Sequence, residues 1–332
     1  MSTVFVHVGQ CGNQIGQAFW KKSLKDERII ESHSFLHADG KLRSVHVDSE
    51  PKVLSKISRK IPIREGNLIA GKRGRGTNWA LGYHGMTHRG DDHVLFTTLE
   101  KLRKEVERYC DSIVLTHNDD VLWRLQKLSE AVSFDSMNNS IANTLCGLFL
   151  PTDTLTPKSG HNIGMEPWEM IRSVCPMPTT KFITLFHLAK SKLAWDGLMN
   201  QTLRRVKRHD TKGIPVSFIL FKSIANLVIA RGDITNTFHY NMRSMEDKVK
   251  STLGCVTWNP FPLDVWTARN NFVNGRDIGS LTVASNHSSV VEYLEMLYQR
   301  SRTKFDAGAF LHWYWKHGSS KVSCYIKRQV KM

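Results

Sequence analysis

The sequence predicts an α/β protein of two domains, and three observations carry that expectation. The apolar run Val4, Phe5, Val6, Val8 passes through a glycine-rich turn into a helical stretch reaching Trp20, a strand followed by the helix that covers it. From His93 to Tyr109, Leu95, Leu99, Leu102 and Val106 fall on one helical face with Glu100, Lys101, Lys104 and Glu105 opposite, and Ile113-Val114-Leu115 then reads as a short buried strand. Finally, 332 residues with 41% hydrophobic content can bury a core large enough for two domains.

Composition narrows the function classes. The apolar runs are too short to span a bilayer and the first residues lack the zones of a secretory signal, so an intracellular protein is expected. Six cysteines without a C-x-x-C pair indicate reduced thiols, not a zinc site or a disulfide framework. A net charge of +16, from 46 basic and 30 acidic residues, favours acidic partners. Basic clusters lie at Lys72-Arg73-Gly74-Arg75, at Arg204-Arg205-Val206-Lys207-Arg208 and in Lys321, Lys327, Arg328 and Lys331. No zinc finger or RNA-recognition sequence accompanies them, so solvated surface is the simpler reading of each.

The first element carries the most chemistry. In Gly9-Gln10-Cys11-Gly12-Asn13-Gln14-Ile15-Gly16, the glycines let the backbone turn tightly, and the N–H groups and dipole at a helix start favour a phosphate. Gln10 and Asn13 offer further side-chain donors. A buried strand turning into a helix favours glycine anyway, so spacing alone does not decide. The string itself resembles the first nucleotide loop of tubulins, which implies a GTP site with Gly9, Gln10, Cys11, Gly12 and Asn13 against the nucleotide.

Val45-His46-Val47 reads as a second strand, ending at Asp48-Ser49-Glu50-Pro51. Acids there suit a metal or ribose, or cap the helix that follows. The matching tubulin segment implies that Asp48 and Glu50 lie beside the phosphates, with Gln10 and Glu50 serving Mg²⁺, directly or through water. The loop from Gly71 to Ala80 could pass for an RNA-binding arginine and glycine segment. Its end, Asn78-Trp79-Ala80-Leu81-Gly82, instead resembles the tubulin loop that approaches the terminal phosphate, implying contacts from Gly76, Thr77 and Asn78. The Gly-x-Gly before it is nearer the delta form.

Between Tyr109 and Ile113 the sequence departs from the family, whose glycine-rich signature loop, strands and helix have no counterpart; the chain contains no Gly-Gly dipeptide. Loss of the strand beside the first one touches both the phosphate site and the sheet. Past this point the resemblance implies base contacts from Asn118 and Asp119, guanine stacking by Phe134 and edge reading by Asn138. Met137, Ile141 and Leu145 share one face of that helix, where a lone Asn is otherwise an ordinary satisfied amide.

Glu166-Pro167-Trp168-Glu169, after the Thr- and Pro-rich stretch from Pro151 to His161, leads to Cys175-Pro176-Met177-Pro178, which resembles the start of the tubulin intermediate domain. Glu169 falls on the acid that acts in trans on a neighbouring subunit's GTP, although a Glu there also closes a capping box. Lys181 to Phe186, Asn226 to Gly232, Trp258-Asn259-Pro260 and Leu281 to Asn286 continue the likeness, which ends after Phe310-Leu311-His312-Trp313-Tyr314 at Gly318.

The resemblance thus implies a three-layer tubulin-type nucleotide domain with an incomplete doubly wound parallel sheet (1–132), a central helix (133–150), a mixed α/β intermediate domain (151–285), truncated C-terminal helices (286–318) and a basic tail (319–332). It implies GTP or GDP and Mg²⁺ as ligands, weakened by the missing loop. The implied partners are alpha- and beta-tubulin or other tubulins and proteins of the centriole and basal body, with no membrane and little role for nucleic acid. The implied place is the cytoplasm and cytoskeleton, at centriole, basal body and cilium, with the nucleus open. A GTPase at a subunit interface fits this picture and an independent metabolic enzyme does not. The alternative is a nucleotide-free basic adaptor on acidic tubulin surfaces or nucleic acid.

Overall fold

The computed structural model describes residues 3–31, 34–72, 74–76, 78–88, 93–105, 113–115, 132–155, 162–163, 166–177, 179–191, 194–209, 222–232, 236–269, 272 and 278–319. The chain forms two compact units. One contains Val4–Gln14, Gly40–Glu107 and Tyr293–Met332; the other contains Met1–Thr3, Ile15–Asp39 and Arg108–Glu292.

In the first unit, β1 (Phe5–Val8) runs directly into the start of α1 (Gly9–Ser23), whose residues from Ile15 belong to the other unit. Gly9 makes the reversal with φ 72°, a left-handed conformation in which a Cβ is strained. In this unit β2 (Ser44–Asp48), which follows the short α2 (Glu27–Glu31) of the other unit, leads to α3 (Pro51–Ser58), whose Pro51 occupies a first-turn position that needs no N–H. Next, β3 (Leu68–Ala70) leads to α4 (Trp79–His88) and α5 (His93–Glu105). The strands form a parallel sheet in the order β1-β2-β3. Helix α5 packs Val94 and Leu102 against Val45, Val47 and Ile69. Val6 and Val8, in register with Val45 and Val47, stay 42% and 64% exposed, and β1 is an edge strand among the described residues.

The second unit is a mixed sheet between helices. Its elements are β4 (Ile113–Leu115), α6 (Phe134–Phe149), the two-residue strands β5 (Thr154–Leu155) and β6 (Asn162–Ile163), α7 (Pro167–Val174), β7 (Phe182–Ser191), α8 (Trp195–His209), β8 (Ser223–Arg231), α9 (Asn236–Thr252), β9 (Leu263–Ala268) and β10 (Ile278–His287). Strand order is β4-β7-β10-β8-β9, parallel at both ends and antiparallel about β10. The period of two divides its side chains between two cores. Phe186, Val228, Ala230, Leu281 and Val283 meet Met199 and Leu203 of α8 and Phe238 and Met242 of α9. Ile183, Leu185, Leu227, Ile229 and Ala284 meet Leu148 of α6 and Met170 and Val174 of α7.

The chain closes with α10 (Val290–Asp306) and α11 (Leu311–Lys316), the latter packed on α4, where Trp79 stacks on Tyr83 at 4.8 Å and on Tyr314 at 6.3 Å between ring centroids. The α/β class and the parallel sheet are as expected, but the compact units cut across the expected boundary at residue 132. Strand β4, expected to continue the nucleotide sheet, pairs in parallel with β7 of the mixed sheet, Ile113 opposite Phe182. A three-residue apolar strand needs a paired neighbour, and the mixed sheet supplies one.

Candidate functional site

The loops following β1, β2 and β3 leave the same end of one parallel sheet, the carboxyl end, where ligands of α/β sheets bind. The first of these turns is the start of α1. Gln10 and Cys11 are exposed there, Cys11 as a free thiol. A 15-residue helix presents its first N–H groups and the positive end of its dipole at this point.

Asn13 is turned inward. Its side chain is fully buried; Nδ2 donates to Gly9 O and to Val47 O, each at 2.9 Å, and Oδ1 faces His46 Nδ1 at 2.8 Å. Asn13 therefore braces the turn against β2 and has no amide hydrogen left for a ligand, which corrects the expectation of a side-chain donor there. His46 Nε2 lies 3.1 Å from Ser44 Oγ, so the network is satisfied by a neutral His46 carrying its proton on Nδ1. Burial lowers the His46 pKa to about 4. His7, its cross-strand neighbour at 4.6 Å between centroids, is lowered to about 3 by burial and by His46, against a hydrogen bond with the Gly12 backbone that raises it. The phosphate-loop candidate thus stands on a neutral histidine pair. The sequence reading missed both rings; the signal was a His at the same place in two apolar strands, Val6-His7-Val8 and Val45-His46-Val47.

At the second loop Asp48 Oδ1 accepts from Glu50 N at 2.9 Å, while its other oxygen, Oδ2, is buried without a hydrogen-bond partner. Glu50 occupies the N-cap position of α3 but its carboxylate makes no capping bond. The helix-cap reading of these acids therefore does not describe them. At the third loop, Gly71 N donates to Asp48 O at 2.8 Å, and a Cβ on Gly71 would sit 2.8 Å from Ser49 O. A Cβ on Gly74 would collide with the Glu50 carboxylate, and Gly76 has φ 57°. Gly71 and Gly74, lacking a Cβ, let the third loop close on the second. Asn78 Oδ1 accepts from Leu81 N at 3.1 Å, capping α4. Thr77 lies outside the described residues, as do Asn118 and Asp119.

The arrangement fits a phosphate with a hard cation. An unpartnered buried carboxylate oxygen is costly unless a cation or donor reaches it. Among the described residues no cluster of three or more His, Cys, Asp and Glu has metal-binding geometry. Mg²⁺ does not need one, because it is held by one or two carboxylates together with phosphate oxygens and water. Asp48 and Glu50 are the carboxylates at this place, with Gln10 across the first turn as the remaining expected ligand.

In the second unit, Ser133 caps α6 by accepting from Ser136 N at 3.1 Å. Phe134 is 81% exposed and Asn138, one turn on, is 8% exposed. Their spacing puts an open aromatic face and an amide on one side of the helix. The far end of α6 is held by Arg231, fully buried, which donates to Gly147 O at 3.1 Å, to Pro151 O at 3.0 Å and to Leu150 O. Burial lowers its pKa to about 10, so it remains charged at neutral pH. Glu169 closes a capping box with Glu166, whose backbone N–H donates to Glu169 Oε2 at 3.0 Å. The Glu166 side chain is taken up by Ser34 at 2.8 Å and by the Trp168 indole.

Residues 2–119 match the family described as Tubulin/FtsZ family, GTPase domain. Tubulin delta chains of Macaca fascicularis and Homo sapiens are each 24% identical over 447 residues, covering 96% of this chain and 95% of theirs. That aligned span exceeds the 332 residues of this chain, so the relatives carry segments it lacks. A tubulin beta chain of Bombyx mori is 35% identical over 133 residues, which are 33% of this chain and 28% of that protein.

Proposed function

We propose that this tubulin-family chain, similar at low identity to tubulin delta chains, is a guanine-nucleotide-binding structural subunit that joins other tubulins in the cytoskeleton. The observation that supports the reading is that three loops leave the carboxyl end of β1-β2-β3 and that the second of them carries the buried, unpartnered Asp48 Oδ2. The start of α1 binds phosphate oxygens through its free N–H groups and dipole. Asp48 and Glu50, with Gln10, hold Mg²⁺, which when bound offsets phosphate charge. In the same reading Phe134 stacks on guanine and Asn138 reads its edge. Without the glycine-rich loop of complete tubulins the site lacks a second group of N–H donors. Each charge-assisted hydrogen bond is worth about 1.5 to 3 kcal/mol, so affinity falls by orders of magnitude relative to a complete site.

Resemblance to delta chains points to centrioles and basal bodies, and to the building of cilia, as the place of work. Nucleotide then acts as an assembly ligand, with Glu169 reaching a neighbouring subunit's site. A second reading is favoured by the net charge of +16: a basic adaptor that has lost nucleotide and docks on acidic tubulin surfaces.

Titration of labelled GTP with the whole chain separates the two. Binding that needs Mg²⁺, is not displaced by ATP, and weakens at least about tenfold in Asp48→Asn supports the nucleotide reading. Absence of binding at millimolar GTP, joined to a salt-sensitive association with tubulin, overturns it in favour of the adaptor.

A further inference from the structure

Helix α3 lies wholly inside the first unit and packs on β2 and β3; its buried side chains are Leu54 and Ile57. Its outer side is basic. At about 100° per residue, Lys52, Lys56 and Arg59, the residue that ends the helix, fall within about 60° of one another and opposite Leu54 and Ile57. Lys60 follows at their side, and all four cations are exposed. Among the described residues none of the four side chains takes part in an ion pair or a hydrogen bond.

Other helix faces of this chain balance their charges. Lys104 pairs with Glu100 at 2.7 Å on α5, Lys250 with Glu246 at 2.6 Å on α9, and Arg302 with Asp306 at 2.7 Å on α10, each one turn apart. On α3 the same spacing sets Lys52 against Lys56 and Lys56 against Lys60, like charges that repel. Lys56, Arg59 and Lys60 at least suit the negative end of the helix dipole. Lys52 does not: it stands in a first turn that carries no acid, at the positive end, where a cation is unfavourable. The nearby acids leave the row uncompensated, for Asp48 is buried, Glu50 turns its carboxylate toward Gly74, and Glu65 lies beyond the helix in the turn before β3. From Gly40 to Ala70 these three acids stand against seven Lys and Arg. A cation row that works against its own helix is explained by an anion that binds it.

The spacing and the composition of the row say what kind of anion. Lys52, Lys56 and Lys60 step along the helix by about 6 Å, and alternate residues of an extended chain step by about 6.6 Å, so an extended acidic segment can set a carboxylate against each. Single-stranded nucleic acid is held by stacking on rings as well as by cations, and the described exposed residues of this face are Pro51, Ser55 and the four cations, with no aromatic among them. A duplex engages more phosphates than a row of about 12 Å can meet.

We propose that the outer face of α3 is a docking surface for an extended acidic peptide segment of a partner protein, whose carboxylates Lys52, Lys56, Arg59 and Lys60 receive. The inference rests on the proposed role of this chain as a subunit among other proteins, and it names where and by what chemistry one of them is held. Because these charges are in water, the contact is weak and salt-sensitive.

Fluorescence anisotropy of a labelled peptide of roughly ten glutamates, titrated with the whole chain at about 50 mM salt, measures it. The expected result is saturable binding that falls about threefold in Lys52→Glu and at least about tenfold when Lys56→Glu is added. Lys222→Glu combined with Arg243→Glu, an equal change of charge at exposed positions of the other unit, should alter it less than about twofold. Lys52→Glu puts an acid in the first turn, so thermal stability should hold or rise while peptide binding falls, a split that misfolding cannot produce. No saturable binding at millimolar peptide, or equal loss in the control pair, overturns the proposal. Tighter binding of an oligouridylate of equal length, lost in the same α3 variants, also overturns it and makes the occupant a nucleic acid. GTP titrated into the same samples keeps the two claims apart: a parent chain that binds GTP but not the peptide overturns this inference and leaves the nucleotide site standing.

Discussion

Replacing Asn13 with alanine is the sharpest perturbation of the loop after β1. It removes two donated hydrogen bonds, to Gly9 O and Val47 O at 2.9 Å, and the acceptor facing His46 Nδ1 at 2.8 Å. At about 1 kcal/mol for each, the loss is about 3 kcal/mol, and more if the buried carbonyls and imidazole find no water. Gln10→Ala, an exposed change one helical turn away, is expected within about 0.5 kcal/mol of the parent. Because two compact units need not unfold together, the readout is urea-dependent hydrogen exchange of peptides covering β1 to α1 and β2. Protection should fall in both segments, since Asn13 ties one to the other, while β8 and β10 are unchanged. Asn13→Asp adds a second signature, for a carboxylate cannot donate to the two carbonyls and draws a proton onto His46. Its deficit should shrink as pH falls. An Asn13→Ala variant within about 1 kcal/mol of the parent would refute the bracing role.

The histidine pair makes stability depend on pH. Its folded-state pKa values, about 4 for His46 and about 3 for His7, lie below the ordinary value, so the unfolded chain binds more protons in between. Stability is therefore full above pH 6.5 and falls as pH drops toward 4, by on the order of 3 kcal/mol for His46 alone; denaturant titrations at stepped pH should flatten in His46→Gln. Arg231→Met strips three carbonyls at the end of α6 of their donors and should cost about 3 kcal/mol, measured by thermal unfolding, with Arg231→Lys restoring little because one ammonium cannot match the fork. Glu169→Gln keeps a capping-box side chain but removes the carboxylate, so stability and nucleotide binding by the single chain should hold while GTP turnover in assemblies with other tubulins drops; equal turnover would leave Glu169 a helix cap alone. Association with tubulin should weaken as ionic strength rises, read from an affinity series in salt, because +16 steers it by charge.

Local grammar was enough for much of this protein. The strand, turn and helix around Gly9, the amphipathic α5 and the helix from Phe134 were all legible, since periodicity and turn chemistry are properties of neighbouring residues. An open edge at β1, seen among the described residues, was expected as well. What sequence left undecided was every matter of pairing between distant segments. Glycine, Asp and Asn in the loops look alike as ligand residues until register shows Asn13 spent on Gly9, Val47 and His46, Asp48 with an oxygen to spare, and Asn78 and Glu169 closing helix ends. Strand β4 read as a buried strand, but nothing in Ile113-Val114-Leu115 says which sheet will take it; the mixed sheet did, through β7. Arg231 ended an apolar run without remark, and only the approach of α6 turned it into the buried anchor of three carbonyls. Hydrogen-bond satisfaction is settled across the whole fold, and for that reason the tertiary structure decided which polar residues remain for a ligand.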